Sequence, residues 1–588
     1  MLKLLKNMRV KEVVMAAVCL LLVVGQVYFD LLLPDYMTRL TTLIKTSGAT
    51  DEIWNVGLKM LGCTLVSAVF AVICGYLAAR TASGFSFVVR EKLFRRVTDF
   101  SKTEMNDFSV PSLITRTTND ITQIQMIVAM GLQMLIKAPI MAVWAVIKIL
   151  GKSWELSAGT AAFVVVICVT VFIVMAICIP RYRKVQKATD KINLAARENL
   201  TGINVVHAFN AEDYQNEKFD KPSKEMFGLQ MKNQKAFALV NPTMTLGMNG
   251  LTLVIYWLGA ALVNNIPAAN VSGRIAFFSE VLAFSTYATY IVMSFMMLVM
   301  IFMMLPQAQV SAERINEVLS TEPSIKGGVV EKSEEEGTVE FRNVSFRYKD
   351  STEDELSGIN FKVEKGKTLA IIGATGSGKT TLVNLIPRTY DATQGEVLVD
   401  GVNVKDYTQK ALLDKIGFVT QKATLFSGTI KDNVFFGESK TDYDDADLSE
   451  ALEASQASEF VDKLPEKSEH KIAQLGRNVS GGQKQRISIA RALARKPEIL
   501  VFDDSFSALD YRTDARLRKE LNEKFKGVTK IIVAQRVSTI RHADEILVLD
   551  RGETVGRGTH DELIESCGIY REIAASQCSQ KEENAYET

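Results

Sequence analysis

The chain has 588 residues, enough for two to four domains, with 47% hydrophobic and 23% charged residues and a formal net charge of +1. That near-neutral balance leaves no electrostatic footprint for nucleic acid, so no nucleic-acid partner is expected. Of the cysteines Cys19, Cys63, Cys74, Cys168, Cys178, Cys567 and Cys578, five lie in apolar stretches and none forms a C-x-x-C, which argues against a disulfide framework or a zinc site and for small buried hydrophobes.

The averages conceal a split. Residues 1–305 hold almost all the long apolar runs, whereas 306–588 are polar, with short apolar runs and frequent glycine. Lys3, Lys6, Arg9 and Lys11 precede the first run, as in a signal peptide. That run is longer than a signal core and no small-residue cleavage site follows, so it reads as an uncleaved first span. Six segments are long and apolar enough to cross a bilayer: 13–34, 54–79, 126–150, 155–179, 237–262 and 275–305.

Charge orients these spans. The short connections 35–53, 151–154 and 263–274 carry only Arg39 and Lys45, then Lys152, then Arg274. The long connections 80–125 and 180–236 carry seven and eleven basic residues, the second beginning with Arg181, Arg183, Lys184 and Lys187. Positive charge stays inside, which places the N-terminus, the long connections and everything after 305 in the cytoplasm and makes the chain a multi-pass plasma-membrane protein. Apolar residues recur at helical spacing in the long connections, as in Phe87, Val88, Leu93, Phe94 and Val97, so the spans are expected to continue as helices into the cytoplasm.

Within the spans, Gln26, Asp30, Lys137 and Lys148 are polar. Charge there suggests function by default, with Asp30 meeting Lys137 or a cationic substrate; a structural pair, or lysines reaching for the interface, is the plainer reading. Tyr287, Tyr290, Met293, Phe295, Met296, Met297, Met300, Met303 and Met304 line the last span and suit either promiscuous apolar binding or ordinary packing. Asn270-Val-Ser272 fits a glycosylation sequon, but the same pattern at Asn199, Asn343 and Asn478 falls in cytoplasmic segments, and chance explains all four.

The second half opens, after the acidic run at 331–336, on Thr368-Leu-Ala-Ile-Ile-Gly373-Ala-Thr375-Gly376-Ser377-Gly378-Lys379-Thr380-Thr381. An apolar strand, G-x-x-x-x-G-K-T and a helix start are a phosphate-binding loop in its required context. The glycines let backbone N–H groups face the phosphates at the positive end of a helix, Lys379 reaches the outer phosphates, and the Thr380 hydroxyl holds Mg²⁺. Ile499-Leu-Val-Phe-Asp503 reads as a buried strand that delivers a carboxylate to the Mg²⁺ shell. Between the two, Ser480-Gly481-Gly482-Gln483 opens a helix and forms a second anion-binding helix start. One ATP does not need two such sites in one chain, so this one is expected to cap an ATP held by a second subunit.

On these residues the whole chain resembles a half-transporter of the ATP-binding cassette exporter family, of the multidrug and lipid type. The resemblance implies a membrane all-α domain of six long helices, the type IV exporter fold, fused to an α/β P-loop cassette with ATP and Mg²⁺. It implies that Tyr348 stacks on adenine, that Gln421 touches Mg²⁺, that Ser480 to Gln483 are the signature motif (with Val479 where Leu is usual), and that Asp510 ends the loop passing between two cassettes. Ser112 to Asp120 and Glu198 to Ile203 resemble the intracellular helices, and turns near Asn106–Ser109 and Asn210–Tyr214 the coupling helices; ordinary solvated helix faces are the alternative.

Two positions depart from the family. Asp504 stands where the catalytic Glu is usual, with one methylene less reach, and Gln535 where His is usual. Gln donates a hydrogen bond but carries no charge. Gln474-Leu-Gly-Arg-Asn also departs from the usual acidic pattern before the signature. Together these imply a degenerate site in a heterodimer, with hydrolysis mainly at the site this chain's signature completes. A slow homodimer, an ATP-gated channel-like member and a soluble P-loop ATPase are the alternatives. The expected boundaries are a membrane domain over 1–308, a linker over 309–337, the cassette over 338–575 and a disordered tail over 576–588.

Overall fold

The computed structural model describes residues 2–46, 48–150, 152–437 and 444–586. They form two compact units, Met1–Thr98 with Val110–Thr321, and Asp99–Ser109 with Glu322–Thr588.

The first unit contains six helices long and apolar enough to span a membrane, and each contains an expected span: Val10–Lys45, Thr50–Thr98, Val110–Leu150, one from Trp154, Glu212–Asn264 and Val271–Ser320. The fourth runs on without a break to Thr201. The second has 49 residues, about 74 Å of helix against about 30 Å of hydrocarbon. The helical extensions read from the long connections are therefore present. Packing uses one stripe per helix. Cys19, Val23, Val27 and Leu31 recur every four residues along the first span and lie buried with Cys74 and Ala78 of the second and with Phe284, Tyr287 and Ile291 of the sixth. Leu58, Leu61, Leu65 and Phe172 point outward on other faces, as spans solvated by lipid tails require.

Two ion pairs lie inside this unit. Lys137 Nζ lies 3.1 Å from Asp30 Oδ2, and Ser67 Oγ donates to Asp30 Oδ1 at 2.5 Å. Lys148 Nζ lies 2.6 Å from Asp35 Oδ2, and the Tyr287 hydroxyl donates to Asp35 Oδ1 at 2.7 Å. The third helix carries π-turns at Arg116–Asp120 and Gly131–Leu135. The first lets Asp120 accept from Ser311 Oγ at 2.8 Å and Arg116 reach Glu317 at 2.7 Å.

The boundaries differ from the expected ones. The sixth helix passes 308 and ends at Ser320, because Ala312, Ile315 and Val318 continue a buried stripe and Pro323 follows. The rest of the expected linker is tied down: Gly328 N donates to Tyr407 O (2.8 Å) and Val330 N to Asp406 O (2.9 Å). Helix Gly568–Tyr586 enters the segment expected to be a disordered tail, where Ala574, Ala575 and Gln577 are good helix formers; residues 587 and 588 lie outside the described residues.

In the second unit the strands are β1 (Val339–Phe346), β2 (Leu356–Val363), β3 (Thr368–Gly373), β4 (Gln394–Val399), β5 (Val402–Asn403), β6 (Ile416–Val419), β7 (Gly428–Thr429), β8 (Lys471–Ile472), β9 (Ile499–Asp503), β10 (Thr529–Val533), β11 (Glu545–Asp550) and β12 (Glu553–Gly558). A four-stranded sheet has the order β2-β1-β4-β5, and a six-stranded sheet the order β12-β11-β3-β10-β9-β6. The second is parallel except for β12. Its central strands are largely apolar because both faces are covered. Alternate residues feed two cores: Ala370, Ile372, Leu500 and Phe502 go to one, and Leu369, Ile371, Ile499 and Val501 to the other.

Candidate nucleotide site

The carboxyl ends of β3 and β9 lie on either side of β10, which brings two loops together at one edge of the sheet. The loop after β3 turns through Gly376 (φ +84°) and Gly378 (φ +92°), a conformation that side-chain-bearing residues seldom adopt, and enters helix Lys379–Asn384. Gly373 has no room for a side chain: a Cβ there would meet the Leu549 carbonyl oxygen at 2.1 Å. Lys379 folds back into its own loop, with Nζ donating to the carbonyls of Gly373 (2.9 Å) and Ala374 (2.6 Å) and to Ser377 Oγ (3.3 Å). Burial pushes the Lys379 ammonium below its ordinary range, against the pull of Asp504 and Asp503.

Thr380 Oγ1 donates to Asp503 Oδ1 at 2.9 Å. Burial pushes the Asp503 carboxyl up, partly offset by the Thr380 hydrogen bond, and Asp504 raises it further. A hydroxyl and a carboxylate in contact, with the Gln421 side chain on the neighbouring loop, form an all-oxygen set that suits Mg²⁺. Such a cation, and phosphate beside Lys379, would supply the counter-charge each buried group lacks.

Asp504 is 8% exposed and sits in the left-handed region (φ +47°), its N–H donating to Val533 O at 3.1 Å. One oxygen, Oδ2, takes both neighbouring amides: Gln535 Nε2 donates at 2.8 Å and Gln421 Nε2 at 3.3 Å. The geometry thus brings Gln421, Asp504 and Gln535 together beside Thr380 and Asp503.

Tyr348 shares a hydrogen bond with Thr381 Oγ1 (2.9 Å) and stands edge-on to Phe346 (4.8 Å) and Tyr390 (5.4 Å), beside the phosphate loop where an adenine ring can meet it. The exposed Thr375 and the buried Ser377 complete that loop.

The other expected residues form a separate face. Ser480 caps helix Gly481–Ala494 in a reciprocal box, Gln483 N donating to Ser480 Oγ (3.3 Å) and Ser480 N to Gln483 Oε1 (2.9 Å), with Ser480 and Gly481 open to solvent. A Cβ on Gly482 would lie 3.2 Å from Ala508 O, so the signature start adjoins the loop that ends in Asp510. Asp510 caps helix Tyr511–Lys524, and hydrogen bonds from the Thr513 hydroxyl and N–H hold its carboxyl below the ordinary range.

Several contacts were not foreseen. Helix Lys102–Phe108, where a turn near Asn106–Ser109 was expected, belongs to the cassette's unit. Its Glu104 accepts from Ser324 N (3.2 Å), and its Asp107 pairs with Lys349 (2.8 Å), next to Tyr348. The Ser101-x-x-Glu104 capping box was a readable signal for this helix. Near Asn210–Tyr214, helix Ile203–Ala208 gives way to the next helix at Glu212 through Asn210 (φ +48°), with Phe209 and Tyr214 exposed.

Known proteins share this plan. Residues 15–295 match the ABC transporter transmembrane region and residues 356–507 the ABC transporter family. An uncharacterized ABC transporter ATP-binding protein of Mycobacterium tuberculosis is 37% identical over 90% of each chain. The uncharacterized ABC transporter ATP-binding protein YfiB of Bacillus subtilis is 34% identical over 96% of each, and an ATP-dependent lipid A-core flippase of Aromatoleum aromaticum is 32% identical over 85% of this chain and 82% of the flippase. The structure of a bacterial Atm1-family ABC exporter with ATP bound superposes with a TM-score of 0.79 at 24% identity, over 96% of this chain and 98% of that one. The chain therefore belongs to the ABC transporter family, and it carries a membrane region and an ATP-binding cassette on one polypeptide.

Proposed function

We propose that the chain is one half of a heterodimer that exports hydrophobic or amphipathic compounds (drugs, lipids or peptides) across the plasma membrane by alternating access, with its own ATP site slow and its signature motif completing the partner's. The observation that carries the reading is the crowding of Asp504: Oδ2 accepts from both Gln535 and Gln421. A general base works through a lone pair aimed at the attacking water, and here two amides occupy one oxygen of a carboxylate that is already one methylene short. Gln535 cannot take up or release a proton at neutral pH.

ATP binding keeps its parts. Gly373, Thr375, Gly376, Ser377, Gly378, Lys379, Thr380 and Thr381 would cradle the phosphates, Tyr348 would take the adenine, and Thr380, Asp503 and Gln421 would hold Mg²⁺, which would supply charge neutralisation for the phosphates. Ser480, Gly481 and Asp510 face solvent, as residues that meet a second subunit's nucleotide must. The exposed Phe209 and Tyr214 support docking of the intracellular helices on a cassette of the partner. The flippase among the relatives favours lipid-like cargo. Charge bias supports a cytoplasmic cassette.

A slow homodimer is the second reading, favoured by the second carboxylate oxygen of Asp504. The test is ATP turnover by the chain purified alone and purified with the half-transporter that co-purifies with it from membranes. Turnover confined to the pair, and lost when the partner's catalytic Glu becomes Gln, supports the heterodimer. Brisk turnover by this chain alone overturns it.

A further inference from the structure

The switch position at 535 is held from behind. After β10 ends at Val533, Ala534 N still donates to Ile371 O (3.1 Å), but Gln535 and Arg536 leave the sheet before the short helix Val537–Ile540. Arg536 stands at that helix's start in extended conformation without a side-chain cap, so Val537 N–H has no partner within the helix. Helix Gly568–Tyr586 supplies one. Val537 N donates to Gln577 Oε1 at 2.8 Å, and Gln577 Nε2 donates to the Gln535 carbonyl at 2.8 Å. A single side-chain amide thus brackets Arg536 and fixes the peptide units on both of its sides. The helix is itself anchored: Tyr570 is fully buried, and its hydroxyl meets His560 Nδ1 at 2.7 Å.

Gln535, whose carbonyl is one end of that bracket, is also the residue whose own amide reaches Asp504 Oδ2 at 2.8 Å. A shift of the Gln535 main chain moves that amide directly, because only a short side chain lies between carbonyl and Asp504. A contact that served only to hold the terminal helix down had no need to fall on these two main-chain atoms.

We propose that Gln577 is a positioning residue for ATP turnover: it clamps the main chain on both sides of Arg536 and so sets how Gln535 meets Asp504. The inference rests on reading Asp504 and Gln535 as the hydrolytic pair of this chain's site. Two Gln577 variants separate the bonds. Gln577→Ala removes both. Gln577→Glu keeps an acceptor for Val537 N–H and loses the donor to the Gln535 carbonyl.

The test is steady-state ATP turnover of the full-length chain in lipid nanodiscs, with amide hydrogen exchange of 534–540 as a readout independent of turnover. If wild-type turnover lies below detection, the same series is run in the Asp504→Glu, Gln535→His background. The expected result is a kcat changed by about 10-fold in both variants, as a displacement well under 1 Å at a reacting group produces. KM for ATP stays within about twofold, since the phosphate loop is untouched, and exchange at 534–540 quickens in Gln577→Ala. Unchanged exchange in Gln577→Ala overturns the clamp. Quickened exchange with unchanged kcat overturns its role in turnover. If Asp504→Asn also leaves turnover unchanged, the reading of Asp504 fails, and the positioning role falls with it.

Discussion

Restoring the two departed side chains together should switch this chain's own site on. Asp504 Oδ2 lies 2.8 Å from Gln535 Nε2 and 3.3 Å from Gln421 Nε2. Asp504→Glu extends the carboxyl by one C–C bond, about 1.5 Å, the reach that Asp504 lacks. Gln535→His replaces an amide that cannot titrate by a ring that can. A misplacement near 1 Å alone is worth about 100-fold, and a positioned base contributes about 10²- to 10⁴-fold. The double variant should therefore raise kcat at least about 100-fold, near 2.7 kcal/mol of barrier. Asp504→Glu alone should give about 10-fold, because Gln535 still holds one oxygen, and Gln535→His alone less than about threefold, because the carboxyl stays short. The assay is phosphate release by the purified full-length chain in nanodiscs, with Lys379→Ala subtracted as background. A double variant no faster than wild type would refute the reasoning. So would a wild-type kcat already near the enzyme median of about 10 s⁻¹ that Asp504→Asn abolishes, since Asp504 would then be a competent base.

Three further outcomes follow from the same geometry. Tyr348→Ala should weaken binding of a fluorescent ATP analogue about 10-fold through loss of the ring, while Tyr348→Phe, which loses only the bond to Thr381, should stay within about threefold; equal losses would show that the ring does not stack. Lys137→Met should destabilise the membrane unit by about 1–2 kcal/mol by leaving the partly buried Asp30 with only its Ser67 hydrogen bond, and adding Asp30→Asn should recover most of it; thermal unfolding in detergent reads the cycle, and simple additivity would show that the pair is not coupled. Burial pushes the Glu104 carboxyl up, but hydrogen bonds from Ser101 and Ser324 outweigh it and hold the group below its ordinary range. A depressed carboxyl stabilises docking of helix Lys102–Phe108 fully above the unfolded pKa, about 4.3, and loses that contribution as pH falls through the folded value. Glu104→Gln should accordingly speed hydrogen exchange over 99–109 at neutral pH, and unchanged exchange would remove the bond from the account.

The phosphate loop was legible because its backbone dictates its letters. Gly376 and Gly378 lie at positive φ, and Gly373 faces the Leu549 carbonyl, so only glycine serves at these points. The span centres were legible because lipid demands apolar runs. The helix ends were not. Apolarity stops where lipid stops, but the sixth helix continues on the sparser stripe Ala312, Ile315 and Val318, which a hydropathy window averages away. Asp35 escaped notice beside Asp30 because pairing with Lys148 depends on helix rotation, which spacing alone leaves open. The clasp of Gln577 on the switch segment joins residues 42 apart through main-chain atoms, and no side-chain pattern announces such a bond.

An intact binding loop beside a crowded base has a direct physical use in the proposed heterodimer. ATP that binds the closed pair of cassettes and not the open one stabilises closure by RT ln(1 + [L]/Kd), about 4 kcal/mol at 1,000 times Kd. A site that binds without turning over adds that term to every cycle, but it offers no route to reopening. The route must come from a site where the γ-phosphate is removed. In a homodimer both sites would pair this chain's Asp504 and Gln535 with its own signature, and closure would be opposed only by two slow bases. In a heterodimer the partner contributes a catalytic Glu, and this chain contributes Ser480 to Gln483 on an exposed helix start. In the proposed heterodimer the signature and the shortened base divide the labour: this chain holds ATP and its partner hydrolyses it.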